Sequence, residues 1–283
     1  MFDIFVLLFD PFICHGFMRR ALVACCALSL SSTPIGVFLL LRHMTLIGDA
    51  LSHSILPGVA IGYFFFGESV IAMGFGGLIS GVLVSIFSGW ISLKNVLREE
   101  ASFAAVYLMF LSFGVILVSV HGSNLDLLDL LFGSVFSINV AQIRFIGIVS
   151  TITFFSLSIF YRALVIETFN STFLQCCSVQ YFQYIHMLFL LLVVLNLVAS
   201  FQVIGTLMSV GLMIFPSLSV CYWTCNLLTM LCMSVCIAIL SSLIGLLSAF
   251  YMLLPPGPVI VLCNSIFFLL SMLFGRYRHV VVF

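Results

Sequence analysis

Residues 42–58 read R-H-M-T-L-I-G-D-A-L-S-H-S-I-L-P-G, from Arg42 to Gly58, and set a carboxylate and an imidazole inside a long apolar run. Asp49 and His53 are four residues apart, which on an α-helix puts both side chains on one face, one turn apart. Pro57, four residues further on, has no amide to offer the carbonyl of His53 and kinks the helix there. A carboxylate, an imidazole and a freed carbonyl therefore converge within one candidate membrane span.

The surrounding chain fixes what kind of span this is. Of its 283 residues, 64% are hydrophobic and 6% charged, against about 25% charged in a soluble domain. Such a chain cannot cover a surface facing water, which points to an integral membrane protein. Lys plus Arg and Asp plus Glu number nine each, so net charge implies no acidic or basic partner and no nucleic acid. Apolar runs of about 20 residues lie near 21–41, 45–66, 69–93, 102–121, 140–161, 182–201, 203–222, 226–251 and 257–275. The expected fold is all-α and polytopic, a single transmembrane domain over 1–283 with eight or nine transmembrane helices. The count is eight if one run is re-entrant or two merge. Residues 1–18 read as an N-terminal interfacial segment, because Asp3 and Asp10 interrupt the apolar residues and no basic start or cleavage site of a signal peptide is present.

With nine spans, one side receives Arg42, Lys94, Arg98, Arg162, Arg276 and Arg278, and the other Arg19, Arg20 and Arg144. The positive-inside bias puts the first set, and the C-terminus, in the cytoplasm. Eight of the nine acids then fall in loops or at span ends, Glu167 among them, and Asp49 alone lies within a span. An intramembrane acid needs a partner or a water-filled cavity. The plain reading is that Asp49 bonds His53 or a neighbouring helix to lock packing. The functional reading is half of a divalent-cation shell, with an ionised carboxylate and a neutral imidazole as ligands. Mixed oxygen and nitrogen donors suit zinc, manganese or iron without choosing among them. An incomplete shell suits a transported ion, which must leave as well as enter.

A second interrupted span, Ile204 to Pro216, carries Gly205, Gly211 and Pro216, with Pro216 freeing the carbonyl of Leu212. Paired Gly/Pro-interrupted spans often flank a transporter's substrate site, while Gly205, Ser209 and Gly211 equally suit close helix packing. His186, just inside the sixth span, is a possible extra ligand, and His15, His43, His121 and His279 lie at or near span ends. The ten cysteines include no Cys-x-x-Cys pair. Cys221/Cys225 and Cys232/Cys236 have helical ligand spacing but no acid or histidine beside them, and packing is the simpler role. Residues 162–181 form the most informative loop. Asn170 or Ser171 can cap a short helix running to about Cys177, placing Phe169, Phe173 and Leu174 on a cytoplasmic apolar element. That element can rest in the membrane interface or offer a grip to a cytoplasmic partner. No phosphate-binding loop, nucleophile elbow or His-Glu-x-x-His helix occurs, so energy for any pumping comes from another chain or an ion gradient.

The stretch from Pro34 to Tyr63, together with F-M-R-R-A-L (17–22), L-F-G-S (131–134), V-I-G-T-L-M-S-V-G-L-M-I-F-P (203–216) and L-P-P-G-P-V-I-V-L (254–262), resembles the membrane permease of zinc/manganese/iron-type ABC transporters. The resemblance covers nearly the whole chain, and the segment around Asp49 and His53 is its most specific part. It implies a transport subunit with no ATPase and no permanently bound cofactor, in a bacterial cytoplasmic membrane. It implies pairing with a second copy or a paralogous permease, power from a cytoplasmic ABC ATPase, and metal delivered by an extracytoplasmic binding protein. Asp49 and His53 match the family's metal-contacting pair, and 169–177 its coupling helix. Asn170, Ser171 and Thr172 replace the family's usual Asp-Pro-Glu there, and Glu100 stands in place of an Asp. The competing readings are a gradient-driven secondary transporter using Asp49 and His53 as a proton or cation relay, an exporter on the same fold, and a structural subunit with no path of its own.

Overall fold

The computed structural model describes residues 10–67, 69–94, 99–120, 135–170, 173–174 and 178–276. Every regular element among them is helical. In chain order these are α1 (Gly16–Leu41), α2 (Thr45–Ser54), α3 (Leu56–Phe66), α4 (Val70–Lys94), α5 (Glu99–Val120), a 3₁₀ turn (Val135–Ser137), α6 (Val140–Phe169), α7 (Val179–Ile204), α8 (Thr206–Cys221), α9 (Leu227–Met252) and α10 (Pro256–Phe274).

Six of these helices (α1, α4, α6, α7, α9 and α10) hold segments long and apolar enough to cross a bilayer, and two shorter apolar stretches lie in α5 and α8. The run at 45–66, expected as one span kinked by Pro57, is divided at Ile55 into α2 and α3. The run at 203–222 shortens to the 16-residue α8, about 24 Å at 1.5 Å per residue against a hydrocarbon core of about 30 Å. Gly205 ends α7 and opens α8 with φ of 85°, a conformation that favours glycine, so no separate linker joins the two helices. Pro216, expected to interrupt its span, lies inside α8 with helix on both sides. Of the segment assigned to an N-terminal interfacial helix, residues 1–9 lie outside the described residues and 16–18 already belong to α1.

α1 and α7 form the buried centre. Ile35, Phe38 and Leu39 of α1 meet Phe189, Val193 and Leu197 of α7, with Ile47, Leu51 and Ile55 closing the cluster from α2 and the break. The other half of α1 packs with α6, α8 and α9. Helices in lipid gain little from apolar burial against one another, so close approach and interhelical hydrogen bonds matter more. Both occur here. Gly58 of α3 and Gly76 of α4 meet backbone to backbone, and a Cβ on either would run into the other's carbonyl oxygen. Gly36 of α1 lies as closely on the Met213 carbonyl of α8, where Ser217 Oγ donates to Thr33 O at 3.2 Å. Asn196 Nδ2 donates to Thr153 Oγ1 at 2.8 Å, and Ser241 Oγ to Asn264 Oδ1 at 2.7 Å, tying α7 to α6 and α9 to α10.

Candidate metal site

α2 is short because both of its ends are imposed. Before it, α1 closes on a turn in which His43 N–H donates to Leu40 O at 3.0 Å and Met44 N–H to Leu39 O at 2.9 Å. His43 takes the left-handed conformation, φ 58°, that such a C-terminal motif requires. After it, Pro57 sits in the first turn of α3, where a missing N–H costs nothing. The break thus falls at Ile55, two residues before the proline. Ser80 of α4 donates to the carbonyl of Ser54 at 2.7 Å, filling an acceptor position at the interruption.

Ile47, Gly48, Ala50, Leu51, Ser52 and Ser54 bury one side of α2. Leu46, Asp49 and His53 lie on the other, at i, i+3 and i+7. His53 Nε2 stands 3.8 Å from Asp49 Oδ1, and an ion about 2.1 Å from each atom fits between them. Asp49 is far from buried: its side chain is 61% exposed, and that of His53 34%. Two clefts open beside it. One of about 410 Å³ is lined by Asp49, Ser52 and His53 from α2 and by Thr206, Val210, Gly211, Ile214 and Phe215 from α8. The other, of about 190 Å³, lies between Asp49 and the α5 residues Phe103, Ala104 and Tyr107. The second interrupted stretch therefore does face the pair. The hydroxyl of Thr206 is buried in that wall and makes no hydrogen bond among the described residues. No group of three or more His, Cys, Asp or Glu side chains comes together among the described residues, the spaced cysteines included. One chain offers two strong donors.

The acid that needs burial partners is Glu167, expected in a loop or at a span end. α6 continues to Phe169, so residues 162–169 are helix and the 162–181 loop begins eight residues later than expected. The Glu167 side chain is 3% exposed and is gripped by Arg42, itself 6% exposed, with Nη1 to Oε1 and Nη2 to Oε2 both at 2.9 Å. Arg42 Nε donates to Thr168 Oγ1 at 3.1 Å, and its guanidinium carbon lies 3.9 Å from the centre of the Phe189 ring. His186 Nδ1 reaches Glu167 Oε1 at 3.0 Å. Arg42 is thus a buried partner of Glu167 as well as a charge at a span end, and His186 serves this cluster. A carboxylate in the apolar run A-L-V-I-E-T-F was the available signal for burial; its partner 125 residues away left none.

Asn170 caps the next turn, Oδ1 accepting from Phe173 N–H at 3.1 Å. Phe173 and Leu174 are helical, Leu174 buried, with Phe169 and Phe173 exposed. Ser171, Thr172 and Cys177 lie outside the described residues.

The six long apolar helices define a polytopic membrane protein. Residues 14–275 match the ABC 3 transport family, and the chain belongs to that family. Its relatives include the manganese import system permease protein ScaB of Streptococcus parasanguinis, 28% identical over 90% of this chain and 89% of that one. The chelated iron transport system membrane protein YfeD of Yersinia pestis is 23% identical over 98% and 91%. A solved chain of PsaBC from Streptococcus pneumoniae, in complex with Fab, superimposes with a TM-score of 0.83 at 26% identity, covering 99% of each chain.

Proposed function

We propose that the protein is the membrane permease of an ATP-driven importer of divalent transition-metal ions, with manganese or iron as cargo ahead of zinc. The observation that carries this reading is the Asp49–His53 pair, 3.8 Å apart on the open face of a broken helix, in a chain of the ABC 3 transport family. Manganese and iron come first because relatives bear those names. A site with two donors on one chain fits a second copy bringing another carboxylate and imidazole, and the exposure of Asp49 leaves room for it. In this reading 45–66 crosses the bilayer as one bent span, and the helices number eight or nine. Phe169, Asn170, Phe173 and Leu174 form the grip for a cytoplasmic ABC ATPase, and an extracytoplasmic protein delivers the ion in a bacterial cytoplasmic membrane. The Arg42 turn and the end of α6 that leads to Asn170 are joined through Glu167, which supports assigning both to the cytoplasmic side.

The test is manganese uptake into proteoliposomes holding the permease with its ATPase and binding protein. Asp49→Ala and His53→Ala are each expected to lower uptake at least a hundredfold while the complex still assembles. Uptake within twofold of wild type in both variants refutes the site.

A further inference from the structure

The segment 170–178 is bracketed by side chains that meet on one carboxylate. Glu167 and Thr168 close α6 just ahead of it, and His186 follows eight residues after Ser178 on α7. Both Glu167 and Thr168 are bonded to Arg42, and His186 is bonded to Glu167. The two ends of the segment therefore cannot shift against each other without disturbing this cluster.

Arg42 connects the cluster to α2. It is the last residue before the turn at His43, and the paired backbone bonds of that turn fix the direction in which α2 leaves α1. Asp49 and His53 stand on α2, beginning seven residues after Arg42. A two-pronged guanidinium–carboxylate contact holds orientation as well as distance. Burial at 3% and 6% exposure shields it from screening by salt. An apolar contact would hold the helices together without fixing their angle.

We propose that Arg42, Glu167 and His186 are positioning residues: together they form a strut that passes displacement of the 170–178 segment to α2 and so to the Asp49–His53 pair. A partner acting on that segment can alter the ion site only through groups that respond to it; this cluster ties the ends of α6 and α7 to Arg42, whose backbone leads through the His43 turn into α2. α7 also packs on α2 through apolar side chains, so loss of the strut weakens the connection without abolishing it. The proposal rests on the permease reading above.

The experiment uses the complete transporter in proteoliposomes, reading ATP hydrolysis and manganese uptake on the same preparation, with manganese binding to the detergent-solubilised complex alongside. In Arg42→Met/Glu167→Leu, which leaves no buried charge unpaired, ATP hydrolysis and manganese binding stay within twofold of wild type. Uptake per ATP falls at least tenfold. A ratio within twofold of wild type overturns the strut, and so does a parallel loss of hydrolysis, binding and uptake, which marks a purely structural role. If the double variant does not assemble, His186→Gln decides: a threefold or greater fall in uptake per ATP supports the strut, and a smaller change overturns it. Absence of ATP-dependent manganese uptake in the wild type points instead to failure of the permease reading, so the two failures are distinguishable.

Discussion

Replacing Arg42 by Met removes three hydrogen bonds at 2.9, 2.9 and 3.1 Å and leaves a carboxylate that is 3% exposed against His186. Breaking a buried pair by deleting one partner costs about 3–5 kcal/mol, because the remaining charge is left desolvated. With His186 Nδ1 still 3.0 Å from Oε1, the lower end applies, about 3 kcal/mol. For proteins of 150–250 residues each kcal/mol moves the melting temperature by about 2–4 °C, so the expected fall is roughly 6–12 °C. Glu167→Leu alone strands the guanidinium and costs a similar amount. The combined Arg42→Met/Glu167→Leu variant trades the pair for apolar volume and lands within about 1 kcal/mol of wild type, or above it. Thermal melting of the detergent-solubilised protein, followed by fluorescence-detected size exclusion, reads all three. The reasoning is refuted if Arg42→Met melts within 2 °C of wild type, or if the double variant shows the sum of the two single losses.

Other positions respond for different reasons. Gly58→Ala drives a Cβ into the Gly76 carbonyl and is expected to cost about 2–3 kcal/mol. Gly76→Ala hits the same crossing, so the pair together costs less than the sum; equal, additive losses in the melting assay would contradict the contact. Phe173→Asp puts a charge on an exposed aromatic of the 170–178 segment and is expected to abolish co-purification of the ATPase while leaving the permease's melting temperature unchanged; retained co-purification removes this segment from the docking surface. Cys14 lies before α1, and the hydrogen bond to Asp10 Oδ1 at 3.4 Å, together with the carboxylate's charge, holds its thiol pKa above the usual value. Less thiolate is then present at mildly alkaline pH, so Asp10→Asn moves the pH profile of iodoacetamide labelling at Cys14 downward. An unchanged profile by peptide mass spectrometry counts against that contact.

How far the sequence carried depended on distance along the chain. Asp49 and His53 were legible because helical spacing alone puts them together, and Pro57 announced an interruption close by. The long apolar runs gave most of the helices. The interruption falls at Ile55, between His53 and the Pro57 expected to kink the helix, with Pro57 accommodated at the start of α3. Pro216 carried the same signal and yet sits within a continuous α8, packed among the helices around it. The largest error concerned charge. Arg42 ends one apolar run and Glu167 sits in the last residues of another, so each counted as a loop or span-end residue. Their mutual neutralisation is what allows both to be buried, and nothing local to either reveals it. Asp49, expected to need a partner or a cavity, has His53 beside it and opens on its clefts, while Glu167 is the enclosed carboxylate.

The interruption at Ile55 also has an electrical side. In the proposed reading, in which residues 45–66 cross the bilayer as one span, α2 and α3 with the residue between them rise about 33 Å, and an interruption after ten residues falls near mid-depth of a bilayer about 30 Å thick. Asp49 and His53 stand in the half of the run before it. In a permease that carries a divalent ion to this pair, each half of the journey spans roughly half of the transmembrane voltage. At about 2.3 kcal/mol per unit charge per 100 mV, two charges crossing half the drop exchange about 2.3 kcal/mol with every 100 mV. In that reading, a site part-way through the span makes its occupancy, and not only passage through it, respond to the membrane potential.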